Sequence, residues 1–249
     1  MNTNTVIAYL DNYLKIDAIA DYGPQGLQVE AENIEIERIA LAVDTAPDTI
    51  RAAAGWGADM LLVHHGLLWR SVERIAGPLG NRVRLLLGNH IHLYAAHLAL
   101  DAHPEVGNNA VLAAALGMEI SDWWCEAMGT NIGVIGDVDL SLDQLKLTVD
   151  NELQTNTRVL PEGPQTVSRL AIVSGFGVDR VAEAKALGAD TLLTGETSHA
   201  NYYAASDYEI NVLFAGHYAT ETVGVRALGD HLAEEFGLEV RFFDFPTAM

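Results

Sequence analysis

Ala58-Asp59-Met60-Leu61-Leu62-Val63-His64-His65-Gly66 is the stretch on which the fold turns. The apolar run at 60–63 predicts a buried strand, and two histidines sit where that strand ends. In open α/β sheets chemistry collects at the carboxyl ends of strands. Side chains alternate along a strand, so His64 and His65 share one site only if the chain bends, and Gly66 permits a bend. Taken alone, the pair is better explained by one buried and one solvated ring. It gains weight because the chain writes this segment twice.

Outward from this stretch, residues 38–43 read as a strand and 47–56 as a helix with Pro47 in its first turn. Together with 60–63 they make a strand-helix-strand unit, which requires a right-handed crossover and a parallel sheet. Val6, Ile7, Leu10, Tyr13 and Leu14 recur at helical spacing, and 21–26 is a turn-rich loop. The long connection 66–89 holds a helix at 81–87, and a strand at 91–96 ends at His97. A short alanine-rich helix at 109–116 stops at Gly117, and Trp123-Trp124-Cys125 opens a distinct segment. Further on come a strand at 132–135, a helix at 141–152 capped by Ser141 and a turn at 161–164.

Residues 38–65 then lie over 169–196 without a gap. The pairs Arg38/Arg169, Ala40/Ala171, Asp48/Asp179, Ala53/Ala184, Gly57/Gly188, Ala58/Ala189, Asp59/Asp190, Leu61/Leu192 and Leu62/Leu193 are identical. Chance would give roughly two such identities, so a duplicated unit is the better explanation. Residues 91–120 similarly lie over 211–240, matching Leu93/Leu213, Ala95/Ala215, His97/His217, Ala99/Ala219, Leu112/Leu232, Ala113/Ala233, Gly117/Gly237 and Glu119/Glu239. The change of offset falls in the connection after His65, where insertions are tolerated. These patterns predict two similar α/β domains from an internal duplication, residues 1–125 and 126–249, with mostly parallel sheets and a metal cleft between them.

The chemistry falls on the repeat. His97 with Asp101 aligns on His217 with Glu221, each a histidine at a strand end followed four residues later by a carboxylate. If the chain turns helically there, both groups share a face and can grip one ion. His64 and His65 align instead with Gly195 and Glu196. Facing halves would bring His64, His65, His97, Asp101, His217 and Glu221 to one cleft, with Glu196 nearby. That set exceeds the three protein ligands of a catalytic mononuclear zinc site and predicts two divalent ions, with the longer Glu221 as the bridging carboxylate. Cys125 is the single cysteine, so no thiolate cluster forms, and Fe, Mn, Zn, Co and Ni stay open. His90, His92, His103, His199 and His231 read mostly as surface or locally bonded residues.

Fourteen basic against 34 acidic residues give a net charge of -20, which repels phosphate backbones and argues against direct nucleic-acid binding. Such a surface also suits a salt-rich cytoplasm, where self-repulsion is screened. No apolar run approaches the roughly 18 residues needed to span a bilayer. The start of the chain lacks a basic region leading into an apolar one, so the expectation is a cytoplasmic protein without a membrane partner.

Asp21-Tyr22-Gly23-Pro24-Gln25-Gly26-Leu27-Gln28-Val29-Glu30, Val63-His64-His65-Gly66, the segment from His97 through Asp101 to Pro104, Gly107-Asn108-Asn109, Thr194-Gly195-Glu196 and Gly216-His217 through Glu221 together resemble the GTP cyclohydrolase 1 type 2 family, also called Nif-three-like. The resemblance runs over nearly the whole chain, in its short form without an inserted domain. It implies metal ligands at His64, His65, Asp101, His217 and Glu221, with His97 a further ligand or an outer residue orienting one. It also implies a ring-shaped homohexamer and hydrolytic opening of the guanine ring of GTP by metal-bound hydroxide, with Glu196 or His97 moving protons. No GxxxxGK[ST] phosphate loop occurs. Two classes therefore stay open: a metal-dependent hydrolase of a small molecule, and a non-catalytic metal-binding or metal-handling scaffold.

Overall fold

The computed structural model describes residues 1–69 and 74–247, so part of the connection after Gly66 lies outside the described residues. In chain order come α1 (Thr3–Tyr13), β1 (Gly26–Val29), β2 (Arg38–Asp44), α2 (Pro47–Trp56), β3 (Met60–His65), α3 (Gly77–Gly88), β4 (His92–Ala95), α4 (Leu98–Asp101) and α5 (Asn108–Ala115). The chain continues with β5 (Glu119–Ala127), β6 (Thr130–Ser141), α6 (Leu142–Leu153), β7 (Arg158–Pro161), β8 (Thr166–Val173), α7 (Val181–Ala186), β9 (Thr191–Thr194) and α8 (Ala204–Asp207). It ends with β10 (Asn211–Phe214), α9 (His217–Thr220), α10 (Thr222–Phe236) and β11 (Glu239–Phe242). Among the described residues, no helix is long and apolar enough to cross a membrane.

The chain forms two compact units. The first is 1–100 with 128–130 and 225–245; the second is 101–127 with 131–224 and the described residues after 245. This division differs from the two halves of the sequence, because 101–127 sits in the second unit and 225–245 in the first. The first unit holds a sheet of order β1-β4-β3-β2-β11, parallel throughout except for β1 at its edge. The second holds β5-β6-β8-β9-β10-β7, in which β8, β9 and β10 are parallel, β6 runs antiparallel to β8 and β7 antiparallel to β10. The expectation of mostly parallel sheets thus holds for the first and becomes a mixed sheet in the second.

The repeated residues do the same work in both units. Asp59 Oδ2 accepts from the backbone N–H groups of Glu37 and Arg38, both at 2.9 Å, and Asp190 Oδ2 accepts from Ser168 and Arg169 at 2.8 and 3.0 Å. Arg38 and Arg169 each reach a carbonyl at the end of the helix that follows their strand, Trp56 O and Leu187 O, both at 3.1 Å. Gly57 and Gly188 turn the chain at φ of 76° and 86°, where a side chain would be strained. Each carboxylate therefore clamps the start of one strand to the start of the next and sets the same register, Ile39 against Met60 and Leu170 against Thr191.

Packing closes the units. Ala40, Ala42, Leu61, Val63, Leu93 and Ala95 of the first sheet cluster with Ile50 and Ala53 of α2 and Leu86 of α3. In the second unit Leu112, Ala113 and Leu116 pack with Leu145 and Val149 of α6 over Leu170, Ile172, Leu193 and Leu213. Burial of this kind contributes about 25 cal/mol per Å² of apolar surface, so each fully buried leucine is worth roughly 2 kcal/mol.

Several elements depart from the sequence expectations. Helix α3 begins at Gly77 rather than at residue 81, because Pro78 occupies the first turn, where its missing N–H costs nothing. Strand β6 runs twelve residues, not four, and pairs with β5 through the two-residue turn Met128-Gly129, whose φ values are 51° and 86°. A methionine replaces the usual Asn or Asp of such a turn, so the hairpin has no sequence signal.

Candidate metal centre

In the first unit the ligand atoms of His64, His65 and His97 lie within 4.8 Å of one another. His64 and His65 end β3, and His97 follows β4, its parallel neighbour, so three imidazoles meet at the carboxyl edge of the sheet. The ring centroids of His64 and His65 are 4.8 Å apart and those of His64 and His97 4.9 Å. Gly66 contributes differently from expectation. It keeps an ordinary φ, and a Cβ there would meet Gln28 Nε2 at 2.5 Å, so close approach rather than a turn is what requires glycine.

Each ring is held through Nδ1. His64 Nδ1 donates to Ala96 O at 2.9 Å, His65 Nδ1 to Asp44 Oδ1 at 2.8 Å and His97 Nδ1 to Asp21 Oδ1 at 2.8 Å. A ring whose Nδ1–H is donated carries its lone pair on Nε2, the tautomer that binds a metal through that atom. The backbone is pinned as well. Thr45 N and Oγ1 both donate to His65 O, at 3.1 and 2.8 Å. Asp21 Oδ2 accepts from Leu98 N, and Gln25 Oε1 from His97 N and Ala99 N. Gln28 Oε1 takes the N–H groups of Leu67 and Leu68 at 2.7 and 3.1 Å. The loop at 21–28 is thus a clasp around the segments that carry the histidines.

In the second unit His217 Nε2 stands 3.1 Å from Glu221 Oε1, and His217 Nδ1 2.9 Å from Glu196 Oε1. The helical turn of α9 brings residues 217 and 221 to one face, as the four-residue spacing predicts. The hydrogen bond to Glu221 holds the His217 imidazolium up to about 9 against the pull of burial, with Glu196 adding to the same effect. Asp101, only 4% exposed, accepts at Oδ1 from Asn108 Nδ2 at 2.8 Å and Ser174 Oγ at 3.3 Å.

Where the first unit carries Asp44 and His64, the aligned positions of the second are Gly175 and Gly195. A Cβ on Gly175 would lie 2.4 Å from Glu221 Oε1, and one on Gly195 2.7 Å from His217 Cα. The glycines at these two positions leave room for His217 and Glu221. The donor chemistry of each unit fits a divalent ion: three imidazoles hydrogen-bonded through Nδ1 in the first, and His217 next to the nearly buried Glu221 in the second.

The family described as Duf34/NIF3 (NGG1p interacting factor 3) matches residues 1–248. The chain belongs to this family. Curated relatives bearing the name GTP cyclohydrolase 1 type 2 homolog include one from Deinococcus radiodurans, 42% identical over 98% of this chain and 93% of its own length. Another, from Pyrococcus abyssi, is 42% identical with full coverage of both chains. The solved structure of TTHA1606 from Thermus thermophilus superposes with a TM-score of 0.90 at 36% identity, covering all of both chains. The resemblance read from the sequence is therefore a membership, and the NIF3 fold extends over the whole chain.

Sequence reasoning passed over several residues of this NIF3 chain. Asp21, Gln25, Gln28, Asn108 and Asn109 lay inside the motifs quoted above and received no role, and Asp44, Ser174, Gly175 and Gly195 carried no signal beyond their alignment across the repeat. Of the histidines set aside, His103 is satisfied locally, accepting from Val106 N, whereas His92 is buried, accepts from Ala31 N and donates to Asn33 O across 61 and 59 residues, and His231 Nε2 pairs with the Tyr9 hydroxyl across 222.

Proposed function

We propose that this NIF3-family protein is a dinuclear-metal-dependent hydrolase of a small molecule. The observation that carries the reading is that His64, His65, His97 and His217 each have Nδ1 set on an oxygen, leaving Nε2 as the metal-binding atom. In this reading His64, His65, Asp101, His217 and Glu221 would hold two divalent ions, and His97 would be a further ligand or an outer residue that orients one. Iron, manganese, zinc, cobalt and nickel all suit such donors. Bound ions would supply Lewis acidity and ease the deprotonation of water near neutral pH.

The chain's own groups then have distinct tasks. Asp44 and Asp21 keep the proton on Nδ1 of His65 and His97. Glu196 does the same for His217 and, with its side chain 35% exposed, is the carboxylate placed to pass a proton to solvent. Glu221 and Asp101, both 4% exposed, supply negative charge where water does not screen it. The relatives' name supports hydrolytic opening of the guanine ring of GTP as the reaction.

A non-catalytic metal-binding scaffold is the second reading, favoured by one observation. The small hollow beside His64 and His97 is lined by Asp21, Gln25, Gln28, Leu68 and Trp69, with no lysine or arginine among its described residues to meet a triphosphate. Anaerobic purification with elemental analysis, followed by a nucleotide and amide panel on wild type, His217→Ala and Glu221→Ala, separates them. Turnover lost in both variants supports the hydrolase; two bound ions without turnover supports the scaffold; equal activity in all three proteins removes the mechanism. The same reading carries the ring-shaped homohexamer, which light scattering tests.

A further inference from the structure

Asn108 and Asn109 are both 0% exposed, yet their amides have different partners. Asn109 Nδ2 donates to Ile132 O at 2.8 Å and its Oδ1 accepts from Ser174 N at 2.7 Å, which ties α5 to strand backbone. Asn108 Nδ2 donates to Asp101 Oδ1 at 2.8 Å, while its Oδ1 accepts from Gly224 N at 2.8 Å. Gly224 lies in the first turn of α10, immediately after Glu221, where backbone N–H groups have no partner inside the helix. That donor fixes which end of the amide is oxygen, so the NH2 end must face Asp101. A Cβ at residue 224 would stand 2.6 Å from Asn108 Oδ1, so the glycine is what admits the amide.

We infer that Asn108 is a positioning residue that sets Asp101 and the helix start behind Glu221 in fixed relation, so that one side chain aligns two carboxylate donors. The inference rests on the metal reading above. Outer partners of this kind are typically worth 10–100-fold in metal affinity.

The test is calorimetric titration of metal-stripped full-length protein with Mn²⁺ and with Zn²⁺, comparing wild type, Asn108→Leu, Asn109→Leu and Gly224→Ala. Leucine matches asparagine in size and removes two buried hydrogen bonds at either position, so a purely structural role predicts equal effects. The expected result is a fall in affinity of about 10–100-fold for Asn108→Leu. Asn109→Leu should lose comparable thermal stability and stay within about threefold of wild type in affinity, since it bonds no carboxylate. Gly224→Ala favours the helix and so preserves folding, yet displaces Asn108, and should weaken binding by at least about threefold. Equal affinities for the two leucine variants, or wild-type affinity in Gly224→Ala, overturn the role of Asn108 alone. A wild-type protein that takes up no divalent ion overturns the metal reading and this inference with it.

Discussion

Replacing Gly175 by alanine separates backbone strain from damage to the donors. Gly175 has φ +62°, and an added Cβ would sit 2.4 Å from Glu221 Oε1 and 3.2 Å from His217 Nε2. Gly237 is its control, with φ +66° and nothing within 4 Å. At either position the left-handed backbone costs an alanine about 1–2 kcal/mol. For a chain of this size each kcal/mol lowers Tm by roughly 2–4 °C, so Gly237→Ala should lose about 2–8 °C and bind metal as wild type does. Gly175→Ala bears the same strain and more. Moving Oε1 from 2.4 Å to the 3.4 Å of ordinary contact needs a retreat of about 1 Å, several times the roughly 0.2 Å tolerance of a metal-ligand distance. Metal affinity should fall by at least about tenfold, or 1.4 kcal/mol, measured by titration of metal-stripped protein. Should Gly175→Ala bind metal as tightly as Gly237→Ala, the placement of Glu221 and His217 as donors is refuted.

Asp21→Ala removes the acceptor that orients His97 and should lower metal affinity about 10–100-fold by the same titration, with β4 intact by circular dichroism. In metal-free protein His217 holds its proton to about 9, against roughly 6.5 in the unfolded chain. Its contribution to stability is therefore complete below about pH 6.5 and lost as pH rises through about 9, and thermal melts over that window should show the decline, flattened in His217→Gln. Saturating metal should reverse the trend, because the ion requires the neutral ring and drives its proton off. Cys125 is buried, and burial pushes its thiol up to about 12, so a disulfide reagent at pH 8 should leave the native protein unlabelled and modify it only on unfolding.

The first block of the repeat was legible because its identities are structural devices rather than ligands. Arg38, Gly57 and Asp59 recur as Arg169, Gly188 and Asp190 since each clamp needs that carboxylate, that cation and that left-handed turn. The metal donors could be read because strand ends and a four-residue helical spacing are local patterns. Their supports could not. Asp44 meets His65 across neighbouring strands, Asp21 meets His97 across 76 residues and Asn108 meets Gly224 across 116, separations that no periodicity encodes. Edge strands β1 and β7, four residues each, were missed for the opposite reason: too short to show alternation, they exist through pairing with β4 and β10.

The exchange of segments between the compact units has a practical outcome. Helix α5 and strand β5 from the first half of the sequence complete the second sheet's unit, while most of α10, with β11, returns from the second half to complete the first. A gene divided at the midpoint would yield two polypeptides, each lacking the closing helix of its own sheet and carrying the other's. Neither could mature alone, and mixing both is the condition under which either regains a whole architecture.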